Sequence, residues 1–161
     1  MGIFGDAKPI SIAGFIVAIV SFVLQLIGFA TPYWMYAKRG NIASHYGLWQ
    51  TCFPTCGKFD CGVIECSSAL KGTQALETLA FIILLAAVVL VAVQLFVIND
   101  KDILKKAGAL CCIVAGVFAL IGVIVYATQN GVQTSNLHFS FAFCIIAAVG
   151  GFVAGVFLVI G

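Results

Sequence analysis

Residues 10–30 read ISIAGFIVAIVSFVLQLIGFA, an apolar run with no charged residue and no proline. Crossing a hydrocarbon core of roughly 30 Å takes about 20 helical residues, and this run is long enough. Three more follow, Leu79 to Ile98, Ala107 to Ala127 and Phe139 to Gly161, all free of Asp, Glu, Lys, Arg and Pro. In lipid every backbone N–H and C=O must be satisfied within the protein, which continuous runs of this kind achieve only as helices. The alternation of a membrane barrel strand is absent. The first run exceeds the usual apolar stretch of a cleaved signal peptide, about 7–15 residues, and Thr31-Pro32-Tyr33-Trp34 offers no small-residue cleavage site after it. The pattern predicts an integral membrane protein, mainly α, one domain over residues 1–161 with four transmembrane helices.

Composition agrees with that solvent. Apolar residues make up 63% of the chain and charged residues 9%, against roughly a quarter charged in a soluble domain. A net charge of +2, scattered along the chain, argues against a nucleic-acid partner. The bilayer is the partner this composition demands.

Four spans place both termini on one side. The short, lysine-dense loop Asn99 to Lys106 is a better cytosolic signal than Lys38, Arg39, Lys58 and Lys71, which are spread along a far longer loop. Cys52, Cys56, Cys61 and Cys66 all fall in that longer loop, where an oxidising compartment lets disulfides persist. Both termini are therefore expected in the cytosol, with residues 32–78 and 128–136 outside, as in a multi-pass plasma-membrane protein. The fourth run reaches Gly161, so little is expected there for a cytosolic scaffold to bind.

The first outer loop is the one polar segment of any length. Tyr33 to Tyr36 and Tyr46 to Thr51 are rich in aromatic and β-favouring residues with turn formers between them, which predicts short antiparallel strands lying on the membrane face. Trp34 alone could be an ordinary interfacial tryptophan. Together, Trp34, then Gly47-Leu48-Trp49, then Cys52 and Cys61, resemble the W…GLW…C…C signature of the claudin, peripheral myelin protein and epithelial membrane protein superfamily. Ala69-Leu70 and Gln74-Ala75 also sit where similar residues occur in that superfamily, so the resemblance covers essentially the whole chain. Gly47 is more claudin-like; Gln94-Leu95-Phe96 and residues 138–143 are more like the myelin and epithelial membrane branch.

The resemblance implies a left-handed four-helix bundle carrying a small extracellular antiparallel sheet. It implies a Cys52–Cys61 disulfide between neighbouring strands, worth about 2–3 kcal/mol in the chain-entropy picture. It also implies that Leu48 and Trp49 anchor the sheet near the membrane. Cys56 and Cys66 are additional, and a second bridge between them is expected, although four cysteines allow three pairings. Glu77 stands where claudins often carry arginine, and the outer loops hold no Asn-X-Ser/Thr site.

Inside the membrane, Gly151 and Gly155 form a GxxxG that Ala147 extends by a turn, suited to close helix packing within one bundle or between protomers. Gln25 and Gln94 are costly in lipid, so each is expected to face another helix. With no charge in the four runs, a transport path through one protomer is not expected. Cys111 and Cys112, just past Lys105-Lys106, are candidates for palmitoylation or are inert packing residues; Cys144 is read as packing. Gly2 would suit myristoylation, but Asp6 stands where Ser or Thr is wanted. His45 and His138 lie in different outer loops without ligand spacing, so no metal, cofactor or catalytic site is expected.

The resemblance implies a structural, non-enzymatic protein of cell–cell contacts that self-associates laterally and across the gap as a barrier or paracellular pore. An auxiliary subunit of a channel or receptor, or a myelin-type adhesion protein, would fit the same signature. In a pore, Lys38, Arg39, Lys58 and Lys71 outnumber Asp60 and Glu65, which would favour anions modestly.

Overall fold

The computed structural model describes residues 8–53, 55–58, 67–98 and 102–161. Four helices of membrane-spanning length and apolarity make up most of it: α1 Pro9–Ala30, α2 Ser68–Phe96, α3 Asp102–Ala127 and α4 Phe139–Ile160. Between α1 and α2 lies an open antiparallel sheet of four short strands, β1 Met35–Arg39, β2 Ile42–Tyr46, β3 Gln50–Phe53 and β4 Thr55–Lys58, in sequence order. A short 3-10 turn, Thr134–Asn136, precedes α4.

α1 packs on α4, α4 on α3 and α3 on α2, and a thinner contact between α1 and α2 closes the bundle. The inward positions are mostly small: Ala18, Ala80, Ala87, Ala109, Ala115, Ala119, Ala147, Ala148 and Ala154 are buried. Small residues let helix backbones approach, which is what drives packing when the surroundings are as apolar as the core. Gly151 and Gly155 show this directly. A Cβ on Gly151 would stand 2.9 Å from the carbonyl oxygen of Cys112, and one on Gly155 3.0 Å from that of Ala109, so both glycines face α3 of the same chain. Where α1 and α2 are less closely packed, aromatic rings fill the seam: Phe81 stacks on Phe22 and on Phe29, with centroids 5.2 Å and 5.4 Å apart.

α2 differs from the hydropathy reading in a way that matters. It begins at Ser68 rather than Leu79 and runs for 29 residues, about 43 Å at helical rise. Its start is fixed by Ser67, whose hydroxyl accepts the Leu70 N–H at 3.1 Å, an N-cap that satisfies a donor the helix leaves open. The hydropathy of the run conceals this because the first turns carry Lys71, Thr73, Gln74 and Glu77. α3 likewise starts at Asp102, ahead of its apolar run.

The longer α2 brings Glu77 into the bundle with 0% exposure. The expectation that no charge-bearing side chain lies among the helices is therefore corrected. Gln25 of α1 donates its Nε2 to Glu77 Oε2 at 2.6 Å, so two polar groups that each need a partner away from water supply one another's. Thr73 adds a second cross-helix bond, its hydroxyl donating to the Gly122 carbonyl at 3.3 Å. Gln94 is also buried on α2.

In the sheet, β3 and β4 pair so that Cys52 stands directly opposite Cys56, and these two are joined by a disulfide. The resemblance implied Cys52–Cys61 and left Cys56 for Cys66; the hairpin register brings the nearer cysteine alongside instead. Cys61 and Cys66 lie outside the described residues, as do Asp60 and Glu65.

Two outcomes are expected. Trypsin cuts after Arg39, Lys58 and Lys71, which puts Cys52 and Cys56 in peptide 40–58 and the other two loop cysteines in peptide 59–71. Non-reducing mass spectrometry should release peptide 40–58 on its own with an internal bridge; recovery of the two peptides joined would contradict this pairing. Gln25→Leu or Glu77→Leu should each destabilise the protein in detergent by about 1–3 kcal/mol, because each strands a buried partner. The double substitution should cost less than the sum, and strict additivity in thermal unfolding would show that the two groups are not coupled.

Candidate functional site: the anchored sheet

The residues of the W…GLW…C pattern converge where the sheet meets the ends of the helices. Trp34, between α1 and β1, is fully buried. Its indole Nε1 donates to the Gly28 carbonyl at 2.7 Å, and its ring meets Tyr126 of α3 and Phe141 of α4 edge-on, with centroids 4.9 Å and 5.7 Å away. A tryptophan resting in the interface would keep its N–H wet; this one is a plug between α1, α3 and α4. The Gly28 carbonyl lies within the last turn of α1, where helical carbonyls lose their intrahelical donors, so the indole takes up an acceptor that the helix leaves available.

The backbone of Trp34 is held from both sides. Its N–H donates to the Tyr46 carbonyl at 2.9 Å, and its carbonyl accepts the His138 N–H at 2.9 Å. A bridge between Met35 and Leu137 and a bond from the Ser140 N–H to the Tyr33 carbonyl, 3.1 Å, continue this seam. The segment before α4 thus runs alongside the first strand like a further edge partner. The hydroxyls of Thr31 and Ser140 are also bonded, 2.6 Å apart.

Gly47-Leu48-Trp49 supplies the second attachment. A Cβ on Gly47 would stand 2.5 Å from the Cα of Pro32, so only glycine lets the β2–β3 turn close over the chain leaving α1. Leu48 is fully buried, and its carbonyl accepts from Gln74 Nε2 at 2.6 Å. This bond depends on the early start of α2. Trp49 is partly exposed and meets Phe29 edge-on at 5.1 Å, at the end of the aromatic seam between α1 and α2. Gln129, just past α3, donates to the Ser67 hydroxyl and ties the third loop to the α2 cap.

Among the described side chains, the charged loop residues are not gathered in the same way. Lys38 and Lys71 are exposed and belong to different elements, β1 and α2. Arg39 and Lys58 end β1 and β4, where only their backbones are described. Cys112 is fully buried in the core and Cys111 half-buried beside it, so of the two only Cys111 presents any surface; Cys144 is buried next to the Trp34 plug. Among the described residues, no group of three or more His, Cys, Asp or Glu side chains gathers as a metal site.

One juxtaposition was hidden by sequence distance. Tyr36 and His45 are direct cross-strand partners, and the α4 entry seam brings His138 to them, with the His45 and His138 ring centroids 6.0 Å apart. Tyr33 lies against both rings. Nothing in the spacing of residues 45 and 138 signals this contact. Gln74 and Gln129 are likewise polar residues whose partners only the fold supplies.

What the described contacts of this site do is mechanical. They fix a small sheet rigidly on the end of a membrane bundle. The family model described as PMP-22/EMP/MP20/Claudin matches residues 9–160, from the first residue of α1 to the last of α4. No individual curated protein matches the chain. A family match over nearly the full length, joined to four spans and a sheet held by its signature residues, establishes that the chain belongs to the PMP-22/EMP/MP20/Claudin family of membrane proteins.

Proposed function

We propose that this protein is a structural component of cell–cell contacts, with its sheet on the extracellular face and both termini in the cytosol. Protomers associate side by side in one membrane and meet the opposing cell through their sheets, making a barrier or a paracellular pore. The observation that carries this reading is how the polar groups are used. Trp34, Leu48 and Gln74 serve to fasten the sheet, Ser67 and Gln129 tie the third loop to the start of α2, and Gln25 and Glu77 serve each other across the bundle. What remains for interaction is the sheet's free surface, including exposed Lys38, Asn41 and Ile42 at the β1–β2 hairpin, and the lipid-facing sides of the helices. A platform fixed so firmly suits recognition between membranes, where a floppy loop would lose affinity to ordering.

In a pore lined by this loop, Lys38, Arg39, Lys58 and Lys71 against Asp60 and Glu65 would give a modest anion preference. The direct test is freeze-fracture electron microscopy of junction-free cells expressing the full chain. Continuous intramembrane strands at cell contacts are expected. Smooth contacts with the protein confirmed at the surface would reject self-assembly, and a foreign protein co-purifying at fixed stoichiometry would replace it with an auxiliary-subunit role. In monolayers that form strands, dilution potentials should favour chloride over sodium slightly, and Lys38→Gln with Lys71→Gln should reduce that preference. A sodium preference abolished by Asp60→Asn or Glu65→Gln would reverse the assignment.

A further inference from the structure

The imidazoles of His45 and His138 belong to different elements, one in β2 and one at the entry to α4, yet they face each other edge-on at 6.0 Å. Around them are Tyr33, 4.8 Å from His45 and 5.8 Å from His138, and Tyr36, 5.2 Å and 6.4 Å away, with Phe139 against His138 at 5.1 Å. These neighbours are all aromatic rings, and none is a carboxylate. The Nδ1 of each histidine is closed off from solvent and has no hydrogen-bond partner. Two buried ring nitrogens, unpartnered and on neighbouring rings, form a donor pair in want of an acceptor that both can share.

We propose that His45 and His138 form a two-imidazole site for a divalent transition metal of the zinc class. A zinc–nitrogen bond of about 2.0–2.1 Å, measured from each of two imidazoles, places ring centroids roughly 5–6 Å apart, which matches the 6.0 Å between these two rings. Imidazole suits zinc, copper and nickel, while calcium and magnesium prefer oxygen. Both residues are only half-buried, so each keeps part of its surface open to solvent. The consequence is mechanical. The backbone seam ties the α4 entry to Trp34 and Met35, at the β1 side of the sheet. A metal on His45 and His138 would add a direct tie from α4 to β2, the next strand in. Metal loading would thus stiffen the sheet against the bundle, and an extracellular metal would act as a regulator of the interacting surface.

The test is thermal unfolding of the full chain in detergent, in chelator-free buffer with increasing zinc chloride. Saturating zinc should raise Tm by about 5 °C, and calcium chloride at the same concentration should not. His45→Ala and His138→Ala should each abolish the zinc-dependent rise. No rise in the unsubstituted protein, or one that persists in both variants, would overturn the site. Should either variant fail to fold, copper(II) electron paramagnetic resonance on the unsubstituted chain gives an independent reading. Superhyperfine splitting from two imidazole nitrogens is expected, and a spectrum with one or none would reject the pair.

Discussion

In a lipid solvent, helices gain little by hiding apolar side chains from their surroundings, because acyl chains are as apolar as leucine. Close backbone approach and a few internal polar bonds must hold the bundle instead. This constraint explains a core built from alanines and the seating of Gly151 and Gly155 against the α3 backbone. It also explains why the Gln25–Glu77 bond lies between two helices that are otherwise thinly packed. Buried polar partners in such a place specify which helices meet, whatever their net contribution to stability.

The sheet follows from the same logic at the end of the bundle. Helix ends leave backbone groups unsatisfied, and the residues beyond α1 meet that need. The Trp34 indole bonds to a carbonyl of the last turn of α1, while its main chain joins β2 on one side and the α4 entry on the other. One residue thereby couples three helices and the sheet. Gly47, Leu48 and Gln74 make the second attachment, so the sheet is held at two separated places and has little freedom to rock. The family signature is thus largely a set of fastenings, and the surface they leave free includes the β1–β2 hairpin tip.

This division bears on how variation could be tolerated. Residues on the hairpin tip, such as Asn41 and Ile42, are exposed and can change without disturbing the fastening. Trp34 and Leu48 have no such freedom, because each fills a closed space and takes part in a hydrogen bond through its side chain or backbone. A fastened base with an exposed rim allows the rim residues to change while the fold is kept.

The four spans were legible in the amino-acid sequence because the bilayer imposes a length and an apolarity that no tertiary contact needs to supply. The small-strand loop and its Trp34, Gly47-Leu48-Trp49 pattern were legible too, since β-favouring residues and turn formers act locally. Elsewhere only the tertiary structure decided. The first turns of α2 look polar and loop-like until Gln25, Leu48 and the Gly122 carbonyl are brought to Glu77, Gln74 and Thr73. Cys52 could have met any of three other loop cysteines, and a hairpin register selected Cys56. His45 and His138 became neighbours only when the α4 entry was laid beside the sheet. Hydropathy records what each residue does with solvent, whereas a buried polar group is defined by its partner, and partners distant in sequence are chosen by the fold.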